Sequence, residues 1–295
     1  MKGGSAPAAA RPAPRVTRLR GAADAVLTYA VLAVILVAVA VPFLFMVMTS
    51  LKTNLDILEV PPNWHIFNLE TIKQNYTEVL RARNFLAYTR NSVVVVFGAT
   101  LVAMALGTPA AYGFSRFSFR GRSDLAFWIL SNRFMPVIAI VIPISRMMAG
   151  LGFLDTYQGL IIPYVALEIP LVVWIMRAFF DDISTEIDEA AVVDGCTRWA
   201  ALGRVILPLA GPGLITTAIF SIIFTWNEFL MGLFIVTTAA SQTVPVGASG
   251  LLTMDRSIEW NVTSTVGVVT VVPVLLFSLL VQRHIVRGLT AGAVK

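Results

Sequence analysis

Cysteine, histidine, lysine and charge are all scarce in this chain of 295 residues, and each shortage removes a class of protein. A single cysteine, Cys196, leaves no disulfide framework to build. Two histidines and that one thiol do not supply the clustered ligands of a transition-metal site. The four lysines (Lys2, Lys52, Lys73 and Lys295) include none behind a glycine-rich loop, so no P-loop nucleotide site is expected. Charged residues make up 13% of the chain, about half of what a soluble domain spends on its wetted surface. Gly 20 and Pro 15 are scattered without a period, which excludes collagen-like and low-complexity classes.

What is present is apolar: 57% of residues are hydrophobic and the mean hydropathy is +0.79. Disorder is excluded on the same ground. The expected fold class is all-α, a polytopic membrane protein, because roughly 20 apolar residues make one crossing and the length gives room for about six. Nucleic-acid binding does not follow from the pI of 9.7, since the basic residues sit at the ends of apolar segments rather than on one face.

Along the chain, residues 1–21 carry Lys2, Arg11, Arg15, Arg18 and Arg20 without an acid and read as a disordered cytoplasmic tail. The uncharged stretch after it, 25–48, is too long for the h-region of a signal peptide and is expected to be the first crossing. A loop with Pro61, Pro62, Trp64 and His65, and a short helix over 69–81, leads to a second crossing at 91–115. The third, 125–147, is interrupted by Arg133 and by Pro136 and Pro143; the fourth, 156–179, contains Glu168 and Pro170. Residues 181–204 hold too many acids to enter a bilayer. A fifth crossing over 205–236, a Gly/Ser/Thr-rich loop over 237–259 and a sixth crossing over 260–281 complete the chain. The domain organisation is thus one membrane domain, 22–288, between tails 1–21 and 289–295. With both termini on one side, fourteen of the 22 Lys and Arg fall on that side, the bias expected of a cytoplasmic face.

The polar stretch between the fourth and fifth crossings carries the most specific signal. Ser184 and Thr185 offer N-caps, and Thr185 with Asp188 has the spacing of a capping box. Gly195 supplies backbone freedom for a helix end, and Thr197 can cap a second helix running toward Pro208. Ala190 and Ala191 leave room for close approach of a partner, with Glu189 and Asp194 adding negative charge at the rim.

These residues resemble the signature loop of bacterial ABC importer permeases: Glu189, Ala190, Ala191, Gly195, Leu207 and Pro208 match, Val205 stands at a hydrophobic position where Ile is common, and Cys196 replaces a small residue. Pro136, Ile142-Pro143, the turn around Asp155, Trp226-Asn227-Glu228-Phe229 and the terminal stretch 286–295 resemble the carbohydrate branch, and within it the shorter of two maltose-type permease subunits. The resemblance implies a type I importer fold of six transmembrane helices, with a cytoplasmic coupling helix that docks on an ATPase. It implies a second homologous permease forming a heterodimer, two ATPase subunits that hold ATP and Mg, a periplasmic or extracellular solute-binding protein, and a carbohydrate substrate, in the bacterial inner membrane. Glu189, Ala190, Ala191, Asp194, Gly195, Leu207 and Pro208 are the expected ATPase-coupling residues. The chain itself is expected to hold no cofactor or metal and to catalyse nothing.

Ionisable residues at membrane depth are costly and face a cavity or a partner. Arg133, Glu168 and Glu228 qualify, and Trp226 and Asn227 add an aromatic face and an amide suited to a sugar. Two readings of this set stand side by side: a substrate pathway, or charges that pair with one another. An ion-coupled secondary transporter is the alternative class; it would show an internal repeat and its own ion site, and no repeat is visible. A membrane-embedded enzyme lacks a nucleophile with its base at membrane depth.

Overall fold

In the computed structural model, the described residues are 15–60, 68–254 and 259–291, with side chains described over 24–60, 68–250 and 259–279. Residues 61–67 with Trp64 and His65, the side chain of His284, residues 1–14, 255–258 and the last four residues lie outside them. Every regular element among the described residues is helical.

Four helices are long and apolar enough to cross a membrane: α1 (Arg15–Ser50) over Asp24–Ser50, α4 (Phe85–Arg116), α7 (Tyr157–Asp181) and α14 (Trp260–Ala291) over Trp260–Leu279. Two further spans are broken. Helix α5 (Arg122–Ser131) with its 3-10 turn meets α6 (Val137–Gly150) at 94°, where Pro136 removes a backbone donor. The segment Arg198–Leu209 meets α11 (Gly211–Trp226) at 80°, across Ala210, Gly211 and Pro212. Among the described residues the count is therefore four continuous spans, or six if each bent pair is one.

Between the spans lie α2 (Asn54–Leu58) and α3 (Leu69–Thr77), the latter continued by a π turn at Glu78–Ala82, as the short helix expected there. Then come α8 (Thr185–Val193), α9 (Arg198–Ala201), a π turn over Leu202–Ile206, α10 (Leu207–Leu209), α12 (Leu230–Ile235) and α13 (Val244–Met254).

Three expectations are corrected. The first helix begins at Arg15, within the stretch read as tail. Residues 205–236 are not one crossing: the span proper is α11, the chain breaks at Asn227–Phe229, and α12 packs back on α6 and α7. The 237–259 stretch is not simply loop, because α13 packs on α4 and α14, with Val244 buried in the same cluster as Val96 and Val262. Hydropathy alone reads continuous oiliness and misses such bends.

Burial grades inward. The most hydrophobic window of α1 has no residue buried, against 39% in α4 and 56% in α7. Helices α4 and α7 lie along each other, the most extensive helix contact among the described residues. Gly107 explains how near they come, since a Cβ there would meet Val172 Cγ1 at 2.6 Å. Small residues at helix contacts serve this purpose in membranes, where tight packing replaces the hydrophobic drive. The larger core cluster runs through α4, α6, α7, the α8–α10 loop and α12; a second joins the start of α4 to α11, α13 and α14. At one end of the bundle sit α8–α10 with the last turns of α4 and α7. At the other sit α2, α3, the Asp155 turn and the segment leading into α13.

Candidate functional site

The loop at 181–208 is a pair of short helices fixed at each end by its own backbone chemistry. Ser184, not Thr185, is the N-cap of α8: its hydroxyl accepts from Glu186 N at 3.3 Å. Helix α8 ends in a Schellman turn, with Gly195 N donating to Val192 O at 3.0 Å and Cys196 N to Ala191 O at 2.9 Å. That turn needs a left-handed residue, and Gly195 has φ +89°. Thr197 then caps α9, accepting from Ala200 N at 3.2 Å.

The two faces of α8 differ. Glu189, Ala190, Val193 and Asp194 are exposed, and nearby Trp199 is exposed too. Ala191 is buried at 7% exposure, so of the two alanines only Ala190 meets the outside. Gly195 and Pro208 are exposed and Leu207 packs half-buried against the core. Val193 and Trp199, 85% and 72% exposed, were not singled out from sequence; the signal was available, because Val193 lies one turn beyond Glu189 and Ala190.

Asp188 is the larger surprise. The expected capping box with Thr185 does not form. Its carboxylate turns inward and accepts from Tyr112 Oη at 2.5 Å and from Arg116 Nε at 2.7 Å. The Arg116 and Asp188 side chains are 4% and 2% exposed, and Arg116 Nη2 also donates to Ile183 O at 2.8 Å.

Deeper in the bundle a cavity of about 310 Å³ opens between the α5–α6 break, α7 and the end of α11. Arg133, Glu168 and Glu228 all line it, with Asn132, Tyr164 and Thr225. Among the described residues these three charges form no ion pair with one another. Glu168 is buried and accepts from the hydroxyls of Ser221 and Thr225, the latter at 2.9 Å. Glu228 accepts from Tyr164 Oη at 2.8 Å and from Met231 N at 3.1 Å, placing its charge at the amino end of α12. Arg133 stacks on the Phe224 ring at 4.4 Å and donates to Leu167 O at 3.3 Å. Among the described residues its other guanidinium donors meet no further hydrogen-bond acceptor.

Trp226 and Asn227 stand apart. Trp226 is 7% exposed and packs into the second core cluster with Phe85 and Tyr88. The Asn227 amide donates to Ile223 O at 2.7 Å, closing the last turn of α11. The chain neighbours of Glu228 point elsewhere because α11 ends there.

Residues 103–291, which include the loop and every cavity-lining residue, match the family described as binding-protein-dependent transport system inner membrane component. The chain belongs to this family. This transport component is 34% identical, over 86% of its length and 91% of the relative's, to the trehalose/maltose transport system permease protein MalG of Thermococcus litoralis. It is 36% identical to the trehalose transport system permease protein SugB of Mycobacterium tuberculosis, over 75% of this chain and 81% of that one. Its fold matches the crystal structure of a bacterial ABC transporter involved in the import of the acidic polysaccharide alginate, with a TM-score of 0.75. That likeness covers 93% of this chain and 99% of the other at 22% identity, and speaks for the fold. The protein is thus a multi-pass component of a binding-protein-dependent importer.

Proposed function

We propose that this chain is the permease subunit of an ATP-driven importer for a carbohydrate, forming half of the translocation pathway beside a second, homologous permease. Two ATPase subunits supply the energy and hold ATP and Mg; a solute-binding protein delivers the sugar. The observation that carries this reading is the doubly capped α8–α9 elbow. Its acidic and apolar outer face (Glu189, Ala190, Val193, Trp199) is the kind of exposed patch that marks a protein partner. The trehalose and maltose named for two relatives support a sugar as cargo.

In this reading the elbow faces the cytoplasm, as do both termini, and the Asp155 turn and α13 face the binding protein. The membrane domain spans 22–288. Closure of the ATPase dimer moves the elbow as a rigid body, and the helices attached to it alternate between inward and outward access. Arg133, Glu168 and Glu228 line the sugar's path, where a cavity of about 310 Å³ has the size of a small-molecule site.

The test is reconstitution with the partner subunits in proteoliposomes. ATP-dependent uptake of a trehalose- or maltose-like sugar is expected, and uptake driven by an ion gradient without ATP would falsify the proposal. Gly195→Pro cannot adopt the φ of +89° that the Schellman turn requires. It is expected to leave ATP hydrolysis running while uptake disappears; normal uptake would remove the elbow from the mechanism.

A further inference from the structure

Helix α8 is joined covalently to α7 at one end and, through α9 and α10, to α11 at the other. Those two connections are the obvious route for its motion. The buried cluster beneath α8 adds a third, to a helix 72 residues away in sequence. Arg116 and Tyr112 lie on the last turns of α4, and between them they occupy both carboxylate oxygens of Asp188. The same guanidinium reaches Ile183 O, and the adjacent Ser115 hydroxyl donates to Asp181 Oδ1 at 2.6 Å. The junction into α8 is therefore clamped to α4 at three positions, 181, 183 and 188.

The opposite end of α4 is fixed just as firmly. Asn91, 2% exposed, donates to the carbonyls of Ala240 and Gln242 at 2.9 and 3.0 Å and accepts from Tyr157 Oη at 2.9 Å. Ser92, also 2% exposed, accepts from Val244 N at 2.8 Å, the first residue of α13. From Asn91 to Arg116 the two attachments are joined by a continuous stretch of α4, with Pro109 within it, about 38 Å long at 1.5 Å per residue.

We propose that Arg116, Asp188 and Tyr112 are positioning residues that tie the coupling helix to α4, making α4 the strut that carries the elbow's movement to the 239–244 segment at the far end of the bundle. This rests on the importer reading above. A buried ion pair is weak evidence for stability but well suited to fixing the relative position of two elements, because neither charge can leave its partner. An elbow held only by its covalent links would need no such anchor.

The experiment uses the full importer complex in proteoliposomes, with sugar uptake and ATP hydrolysis measured on the same preparation. Asp188→Asn keeps the side-chain shape and removes the ion pair. ATP turnover within about twofold of the unmodified complex is expected, with sugar carried per ATP reduced at least about tenfold and largely restored by Asp188→Glu. Tyr112→Phe removes one hydroxyl and is expected to lower the same ratio about threefold; it decides the matter alone if Asp188→Asn fails to assemble. An unchanged ratio, or hydrolysis and uptake falling in equal proportion, overturns the strut. Absence of ATP-driven uptake in the unmodified complex overturns the importer reading instead.

Discussion

The two charge clusters sit in one helix bundle yet handle charge in opposite ways. Beneath the elbow, Arg116 and Asp188 meet at 2.7 Å, and both oxygens of the acid are taken. Around the cavity, Arg133, Glu168 and Glu228 share a wall, but each acid is satisfied by hydroxyls or amides and the guanidinium by an aromatic face and a carbonyl. Desolvated charge is expensive, so a closed pair and an open set answer different needs. A pair with nothing left over holds structure in place. Charges set apart around a cavity are what the proposed sugar path requires.

The contrast breaks most visibly if the closed pair is opened. Asp188→Leu strands the Arg116 guanidinium away from water and is expected to cost about 3–5 kcal/mol, read as a lowered thermal unfolding midpoint in detergent. Arg116→Met combined with Asp188→Leu is expected to recover most of that loss, since no charge is left unpaired.

Arg133→Gln is the matching change in the open set. It is expected to leave the unfolding midpoint nearly unmoved and to reduce sugar uptake about tenfold, which corresponds to roughly 1.4 kcal/mol. Asn227→Ala, between the cavity-lining Thr225 and Glu228 but committed to its own helix end, is the control and is expected to stay within about twofold. Equal loss in both variants would erase the distinction between lining and neighbouring residues.

The smallest effect concerns a third acid, outside the spans. Burial alone would raise the Asp155 carboxyl, but hydroxyl and amide donors from Thr237 and Thr238 outweigh it and hold it below its ordinary value of 3.8. A lowered folded value means the clasp contributes fully above the ordinary value and loses its contribution as pH falls through the lowered one. The difference in unfolding midpoint between the unmodified protein and Asp155→Asn is therefore expected to stay flat from pH 7 to about pH 5 and to shrink only below about pH 4. A difference that already narrows at pH 6 would show that another group controls the turn.

Legibility in the sequence followed the range of each interaction. Caps and turns act over a few residues, so Thr197 and Gly195 are placed correctly by spacing alone. The three membrane-depth charges stand out because apolar surroundings make any ion conspicuous, and all three reach the cavity. Asp188 defeats the same reasoning: a local rule assigns it to Thr185, while its partners come from a helix 72 residues earlier. Trp226 and Asn227 are adjacent to Glu228 in the chain but leave a terminating helix in other directions, which composition does not encode. The bends near Pro136 and Ala210 are legible in the proline and glycine positions, Pro136 and the Gly211-Pro212 step, rather than in hydropathy.

Helix α1 is a span without shaped surroundings. Its window of hydropathy 3.0 has no residue buried within the chain, and the tight fits begin only near its end, where Ser50 is fully buried and Asn75 donates to Ser50 O. Over residues 24–39 every side chain is exposed within this chain, so what that stretch supplies is apolar length rather than contour. Leucine, valine, isoleucine and alanine are interchangeable there to a first approximation, as words are in a sentence judged only by its length. The same exchanges in α7, more than half of whose window is enclosed, alter contour and are felt at once.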